Sequence, residues 1–290
     1  MKTGLIFEKQ PSDIHECLKE PLQEGEVQFW WLGQAGFIFR SKKCVVAVDL
    51  YLSDFLAQKY KQHEFSHERM LPPPLLPEEV DCLDYYLCTH AHSDHMDPGT
   101  IPTVSRNNPA CVFVVPRAET DTAHERGIPA PRLLGLDDGE DLPLSGGGNI
   151  LAMAAAHETL ERNEEGHHRY LSYLLILSGL RIFHSGDAVP YPGLAEKVAA
   201  MKPDLALLPV NGRDAVRSGR GIAGNFSASE SMDLIEAADI AYGLGHHYGM
   251  FAFNSADPET VRRQIGARGF QDRFALAEIG LRYRLSKDDG

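Results

Sequence analysis

No stretch of this chain approaches the ~18 consecutive apolar residues that a membrane-spanning helix requires, so none is expected to cross a bilayer. The opening residues MKTGLIFEKQ hold no apolar run long enough for a secretory signal, and the cytoplasm is the expected compartment by default. Cysteine is sparse. There are five, an odd number, and no two form a CxxC pair. Cys44, Cys88 and Cys111 sit in apolar, strand-like runs, so they read as buried free thiols in a reducing compartment. Basic residues are also few, 28 against 41 acidic ones, for a net charge of -13. An acidic surface repels phosphate backbones and anionic lipid. Neither nucleic acid nor a membrane is therefore an expected partner; a small-molecule substrate is. A small anionic metabolite stays admissible, because a metal and a few arginines can override the global field. Tandem repeats and obvious linkers are missing too, so one domain over residues 1–290 is expected. A homo-oligomer is left open.

Short apolar runs separated by turns follow one another. Strands are expected at 27–32, 35–40, 44–49, 85–89 and 111–115, then at 149–155, 171–177, 180–184 and 205–209. Helices are expected at 191–201, 229–238 and 257–268. Ser227 and Glu230 have capping-box spacing, and Asp257-Pro258 fits an N-cap followed by a first helical turn. Two β-rich halves, each ending in helices, predict an α/β fold of two sheets packed face to face with helices outside.

The densest chemical signal is Thr89-His90-Ala91-His92-Ser93-Asp94-His95, directly after the apolar run Tyr85-Tyr86-Leu87-Cys88. Side chains two apart share a face of an extended segment, so His90 and His92 can point together. Asp94 and His95 follow on the next turn. Imidazole and carboxylate suit zinc and its first-row relatives. A lone histidine is usually structural, but packing gives no reason to gather three with an aspartate at the end of an apolar strand. His15, His63, His67 and His124 sit in charged or helical surroundings and receive no role, and His167 and His168 read as a surface loop.

The pattern His90-x-His92-x-Asp94-His95 resembles the HxHxDH signature of the metallo-β-lactamase superfamily. His157 after Ala154-Ala155-Ala156, Asp187 in His184-Ser185-Gly186-Asp187, and His247 in His246-His247-Tyr248-Gly249 follow in the family's order. Trp31-Leu32-Gly33-Gln34-Ala35-Gly36, Arg220-Gly221-Ile222 and the stretch from His247 to Ala256-Asp257-Pro258 look like the L-ascorbate-6-phosphate lactonase-like branch. The likeness runs from about Gln28 to Phe270. It departs at Asn211-Gly212-Arg213-Asp214, so the substrate does not carry over with the fold. The resemblance implies an αββα four-layer sandwich. It also implies two divalent ions, zinc by donor type or manganese by likeness to that branch. One would rest on His90, His92 and His157, the other on Asp94, His95 and His247, with Asp187 bridging. A hydroxide between the ions would attack a carbonyl or a phosphorus. Asp94 could also accept a proton, so Asp94 and Asp187 are the expected catalytic carboxylates. Of the adjacent histidines, the family's late motif selects His247; His246 would line the pocket or pack.

Asn211 and Arg213 follow the apolar run Leu205 to Val210, where strand ends meet an active-site mouth, and Arg217 and Arg220 lie close behind. The arginine fork suits phosphate. Arg220 leads Arg213 as a substrate contact, and Gln34 is a further candidate. The expected activity is hydrolysis of a small ester or lactone, a phosphorylated sugar lactone among them. A phosphodiesterase acting on a small phosphodiester is one rival. A non-catalytic metal-binding protein is another. A seven-donor set without cysteine counts against the latter, since structural zinc sites are usually closed and four-coordinate.

Overall fold

The computed structural model describes residues 5–287. The first part of the chain supplies β1 (Leu5–Pro11), β2 (Glu26–Trp31), β3 (Phe37–Ser41), β4 (Val45–Val48), β5 (Tyr85–Leu87), β6 (Val112–Pro116) and β7 (Leu133–Leu136). The rest supplies β8 (Asp141–Pro143), β9 (Asn149–Ala154), β10 (Leu171–Leu177), β11 (Leu180–His184), β12 (Leu205–Pro209), β13 (Tyr242–His246), β14 (Phe274–Leu276) and β15 (Leu281–Lys287). One sheet has the order β1-β15-β2-β3-β4-β5-β6-β7 and the other β14-β13-β12-β11-β10-β9-β8. No helix among the described residues is long and apolar enough to cross a membrane.

The two sheets face each other, and strand alternation explains why almost nothing in β2 is exposed. Phe29 and Trp31 enter the core between the sheets with Phe37, Phe39, Tyr173 and Leu207. Trp30 points the other way, joining Ile38, Tyr86 and Phe113 beneath Ile101 and Val104 of the helix Ile101–Asn107. Helices Ala228–Ala237 and Pro258–Ala267 cover the second sheet. The expected helix–sheet–sheet–helix order is therefore present. Both helix starts form as expected: Ser227 and Glu230 close a capping box, and Asp257 accepts from Thr260 N–H ahead of Pro258.

Strand direction decides where chemistry gathers. β4 to β7 are parallel, as are β11 to β14. The carboxyl ends of β4, β5, β11, β12 and β13 therefore open onto loops, the usual place for a site in such sheets. β9 ends beside the start of β10, with Ala154 opposite Leu171. The two sheets touch at this rim, where Leu171 N–H donates to Thr89 O at 2.9 Å.

Candidate metal centre

Four loops bring the seven expected donors together. His90, His92 and His157 form one group; His90, His95 and Asp187 a second; Asp94, His95 and His247 a third. In each, the ligand atoms lie within 4.8 Å of one another. Asp187 reaches toward two rings, with Oδ2 at 3.0 Å from His247 Nε2 and Oδ1 at 3.3 Å from His95 Nε2.

The ring orientations come from a buried carboxylate that sequence reasoning missed. Asp49, at the end of the run Cys44–Asp49, is fully buried. It accepts from Thr89 N–H at 2.7 Å, from the Thr89 hydroxyl at 2.6 Å and from His95 Nδ1 at 2.7 Å. The Thr89 hydroxyl gives its proton to Asp49, so Thr89 Oγ1 accepts from His90 Nδ1, 3.0 Å away. Nδ1 of His90 and of His95 thus carries hydrogen, so in the neutral ring of each it is Nε2 that offers a lone pair toward the cluster. Nearby, His247 and Gln34 both take left-handed backbone angles, φ 59° and 50°. His247 N–H donates to Gln34 O at 2.9 Å. Gln34 Nε2 in turn donates to Asp94 Oδ2 at 2.7 Å and lies 3.0 Å from His247 Nε2. Non-glycine residues in this conformation cost about 1–3 kcal/mol, and such strain gathers at functional sites.

Burial favours neutral rings. It holds His90 well below the usual histidine range, lowers His92 and pushes His157 down to about 4. Burial also opposes charge on His95, but Asp187, Asp49 and Asp94 around it win and hold it well above that range. Burial raises the Asp187 carboxyl, yet His247 and His95 more than compensate and keep it ionised. Asp94 is lowered too, with His95 and His247 outweighing burial and the like charge of Asp187.

The cluster floors a cavity of about 620 Å³. Arg220 lines it, with Nη1 on Glu64 at 2.8 Å and the guanidinium over the Phe65 ring. Gln34 lies beneath it, 1% exposed, and reaches only the donors Asp94 and His247. Arg213, an expected substrate contact, lies elsewhere, and His246 takes the packing alternative. Arg213 is carried away by the turn at Gly212 (φ 64°) and clamps Glu230 at 2.6 and 2.8 Å. His246 points between the sheets, fully buried, stacked on His184 and edge-on to Phe37. His246 ends its strand facing inward, and the left-handed backbone at His247 (φ 59°) turns the next side chain to the cavity.

Asn211 is buried and acts through Asn254, a cavity-lining residue that sequence reasoning overlooked. Arg217 Nη1 can only donate, so the Asn254 atom 2.9 Å from it is Oδ1. Asn211 Nδ2 donates to the same oxygen at 2.9 Å. The Asn254 amide is thereby oriented, with its Nδ2 unengaged by the described residues. His167 and His168 are not a free surface loop either. Their Nδ1 atoms grip the two Asp137 oxygens at 3.0 and 2.6 Å, tying down the segment that leads to Tyr170. His63 and His67, which carried no expectation, line the cavity.

A family model described as the beta-lactamase superfamily domain matches residues 52–248, a span that includes all seven donors. The chain belongs to the metallo-β-lactamase superfamily. A UPF0173 metal-dependent hydrolase of Archaeoglobus fulgidus is 24% identical over 268 residues, 89% of this chain and 98% of that protein. The "Probable L-ascorbate-6-phosphate lactonase UlaG" of Escherichia coli O127:H6 is 23% identical over 276 residues, 85% of this chain and 76% of that one. Among solved structures, a possible metal-dependent hydrolase from Veillonella parvula superposes with a TM-score of 0.71 at 14% identity, covering 88% and 98% of the two chains. At that level of description, this chain is a metal-dependent hydrolase of the superfamily.

The residues present suit the metal that a metallo-β-lactamase fold implies. His90 Nε2, His95 Nε2, His157 Nδ1 and Asp187 Oδ1 are buried and make no hydrogen bond among the described residues. Orphaned buried polar atoms are costly. Four that converge from three separate loops of this superfamily fold are what a cation would satisfy.

Proposed function

We propose that this protein hydrolyses a small ester or lactone at a dinuclear centre held by the seven His and Asp donors. The observation that carries this reading is their convergence at one cavity, with the buried His90 Nε2 and His157 Nδ1 lacking any hydrogen-bond partner among the described residues. Bound divalent ions would bring a water's pKa toward neutrality and polarise a carbonyl. The protein's own part is positional. Asp187, kept ionised, sits between His95 and His247. Gln34 holds the Asp94 carboxylate through Oδ2, and Asp94, besides helping to hold an ion, would accept the proton released when water adds. Tyr170 packs against His90, His92 and His157 with ring centroids 5.2, 6.0 and 5.1 Å away, and keeps bulk water off that side. Asn254 Nδ2 is free to donate to a substrate oxygen, and Arg220 supplies a cation at the rim for a negatively charged substituent.

The test is a purified-enzyme screen with added Zn or Mn. Its substrates are sugar-phosphate lactones, acyl lactones and bis(p-nitrophenyl) phosphate. Lactone turnover is expected, falling on the order of 100-fold or more in Asp187→Asn. Turnover of the phosphodiester alone, or an Asp187→Asn enzyme as fast as wild type, would overturn the reading.

A further inference from the structure

Beyond the metal-binding floor, the same cavity has a wall unlike the rest of the surface. Tyr60, Phe65, His67, Phe251 and Phe253 line it together with Leu56. His67 is the hub. Its ring stacks on Tyr60 at 4.4 Å and 25°, and meets Phe251 and Phe253 edge-on at 5.0 and 4.7 Å. Phe251 and Phe253 are parallel within 8°, and Phe65 lies 5.2 Å from Phe253. Burial lowers the His67 pKa, so the ring is neutral and behaves as a flat, weakly polar surface. Packing alone would close these rings on each other. Instead Phe251 is buried, while Tyr60, Phe65, His67 and Phe253 stay half-buried along the cavity. Two segments distant in sequence, 60–67 and 251–253, build the wall jointly, and it shares one cavity with His92, Asp94, His157, Asp187 and His247.

We propose that this wall is a substrate subsite for an aromatic ring carried by the ester or lactone. Rings bind such walls by offset or edge-to-face contact with centroids about 4.5–7 Å apart, and each pair adds to what area burial provides. The cations at the rim fit the same class. Arg220 lies over Phe65 and Lys59 over Tyr60, at 5.6 and 5.1 Å, so cations border the aromatic wall where an acidic group on the same substrate would meet them. The proposal rests on the hydrolase reading for the word substrate, but the subsite can be tested without turnover.

Two measurements separate the ideas. Ligand-observed NMR with the protein as purified compares phenylacetate with acetate, which share a carboxylate and differ by a ring. Phenylacetate should bind roughly tenfold or more tightly, as expected for one or two added ring contacts. That preference should shrink toward one in Phe253→Leu and return in Phe253→Tyr, with thermal unfolding confirming that each variant is folded. In parallel, kcat/KM for γ-phenyl-γ-butyrolactone over γ-valerolactone should show the same preference and the same response. A binding preference without hydrolysis of either lactone keeps the subsite and sinks the lactonase reading. Phenylacetate binding no better than acetate, or a preference that survives Phe253→Leu, overturns the subsite whatever the lactones do.

Discussion

A single buried carboxylate organises the His/Asp cluster from outside it. Asp49 touches none of the other donors except His95, yet it sets two imidazoles: His95 directly, and His90 through the Thr89 hydroxyl. An anion behind a ligating histidine fixes its tautomer and raises its basicity, and removing such a partner typically costs 10–100-fold in metal affinity. Asn in place of Asp49 keeps the size but loses the charge, and it cannot accept from Thr89 N–H, Thr89 Oγ1 and His95 Nδ1 with one oxygen. Asp49→Asn is therefore expected to retain its ions about 10–100-fold less tightly in chelator competition, while circular dichroism stays native. Wild-type retention would show that Thr89 and packing orient the rings unaided. At this same scale the sequence was legible in part. The seven donors stand out because they cluster or follow strands in a set order. Asp49, His67 and Asn254 do not, because nothing local marks a lone Asp, His or Asn whose partners lie 40 or more positions away in the chain for Asp49, 43 and 37 for Asn254, and in the distant segment 251–253 for His67.

Among the elements, strands whose apolar run is bounded by turn residues were readable end to end. Leu171–Leu177, Leu180–His184 and Leu205–Pro209 form over the spans expected. The strand Tyr242–His246 gave no signal, because its two glycines remove the side chains that mark a strand. Tertiary packing demands them: a Cβ on Gly243 would sit 2.3 Å from Ile235 and 2.7 Å from Phe274. Pairing of β1 with β15 joins the two ends of the described chain and has no local signature. The loops are equally specified by contact. Gly186, beside Asp187, has φ 61°, and a Cβ there would lie 2.8 Å from Thr89 Cβ. Thr89 opens the His90–His95 loop, so Gly186→Ala must push two donor-bearing loops apart. The strained backbone and the overlap should together cost roughly 2–4 kcal/mol in urea unfolding. Metal content should fall with it. A midpoint within ~0.5 kcal/mol of wild type would mean that the loops yield independently of one another.

For the molecule as a whole, the centre makes folding and protonation interdependent. His90, His92 and His157 are held below the ordinary range by burial, and so are His184 and His246, stacked between the sheets. Unfolded histidines titrate near 6.5. Between that value and the depressed folded one, the unfolded chain binds more protons, so stability falls as pH drops. His157 alone, lowered to about 4, corresponds to roughly 3 kcal/mol lost across that window, an upper figure for one group. His95 has the opposite sign: its folded pKa is raised, so its contribution is complete below 6.5 and is lost as pH rises above it. Asp97, raised by burial, also opposes the trend at the acid end. Asp94 and Asp187, both lowered, add stability above the ordinary carboxylate range and do not lose it until pH falls below about 4. Several histidines thus act together against one. Chelator-treated protein is expected to lose urea midpoint steadily from pH 7 to pH 5. At each pH, restoring Zn or Mn should raise the midpoint, by about 2.7 kcal/mol when free metal is 100 times its Kd. The measurement is a set of urea titrations at pH 7, 6 and 5, with and without metal. A metal-free midpoint that stays flat over this range would mean that the buried imidazoles are not neutral in the folded chain, and the assignment of His90 and His157 as ready, unprotonated donors would fall with it.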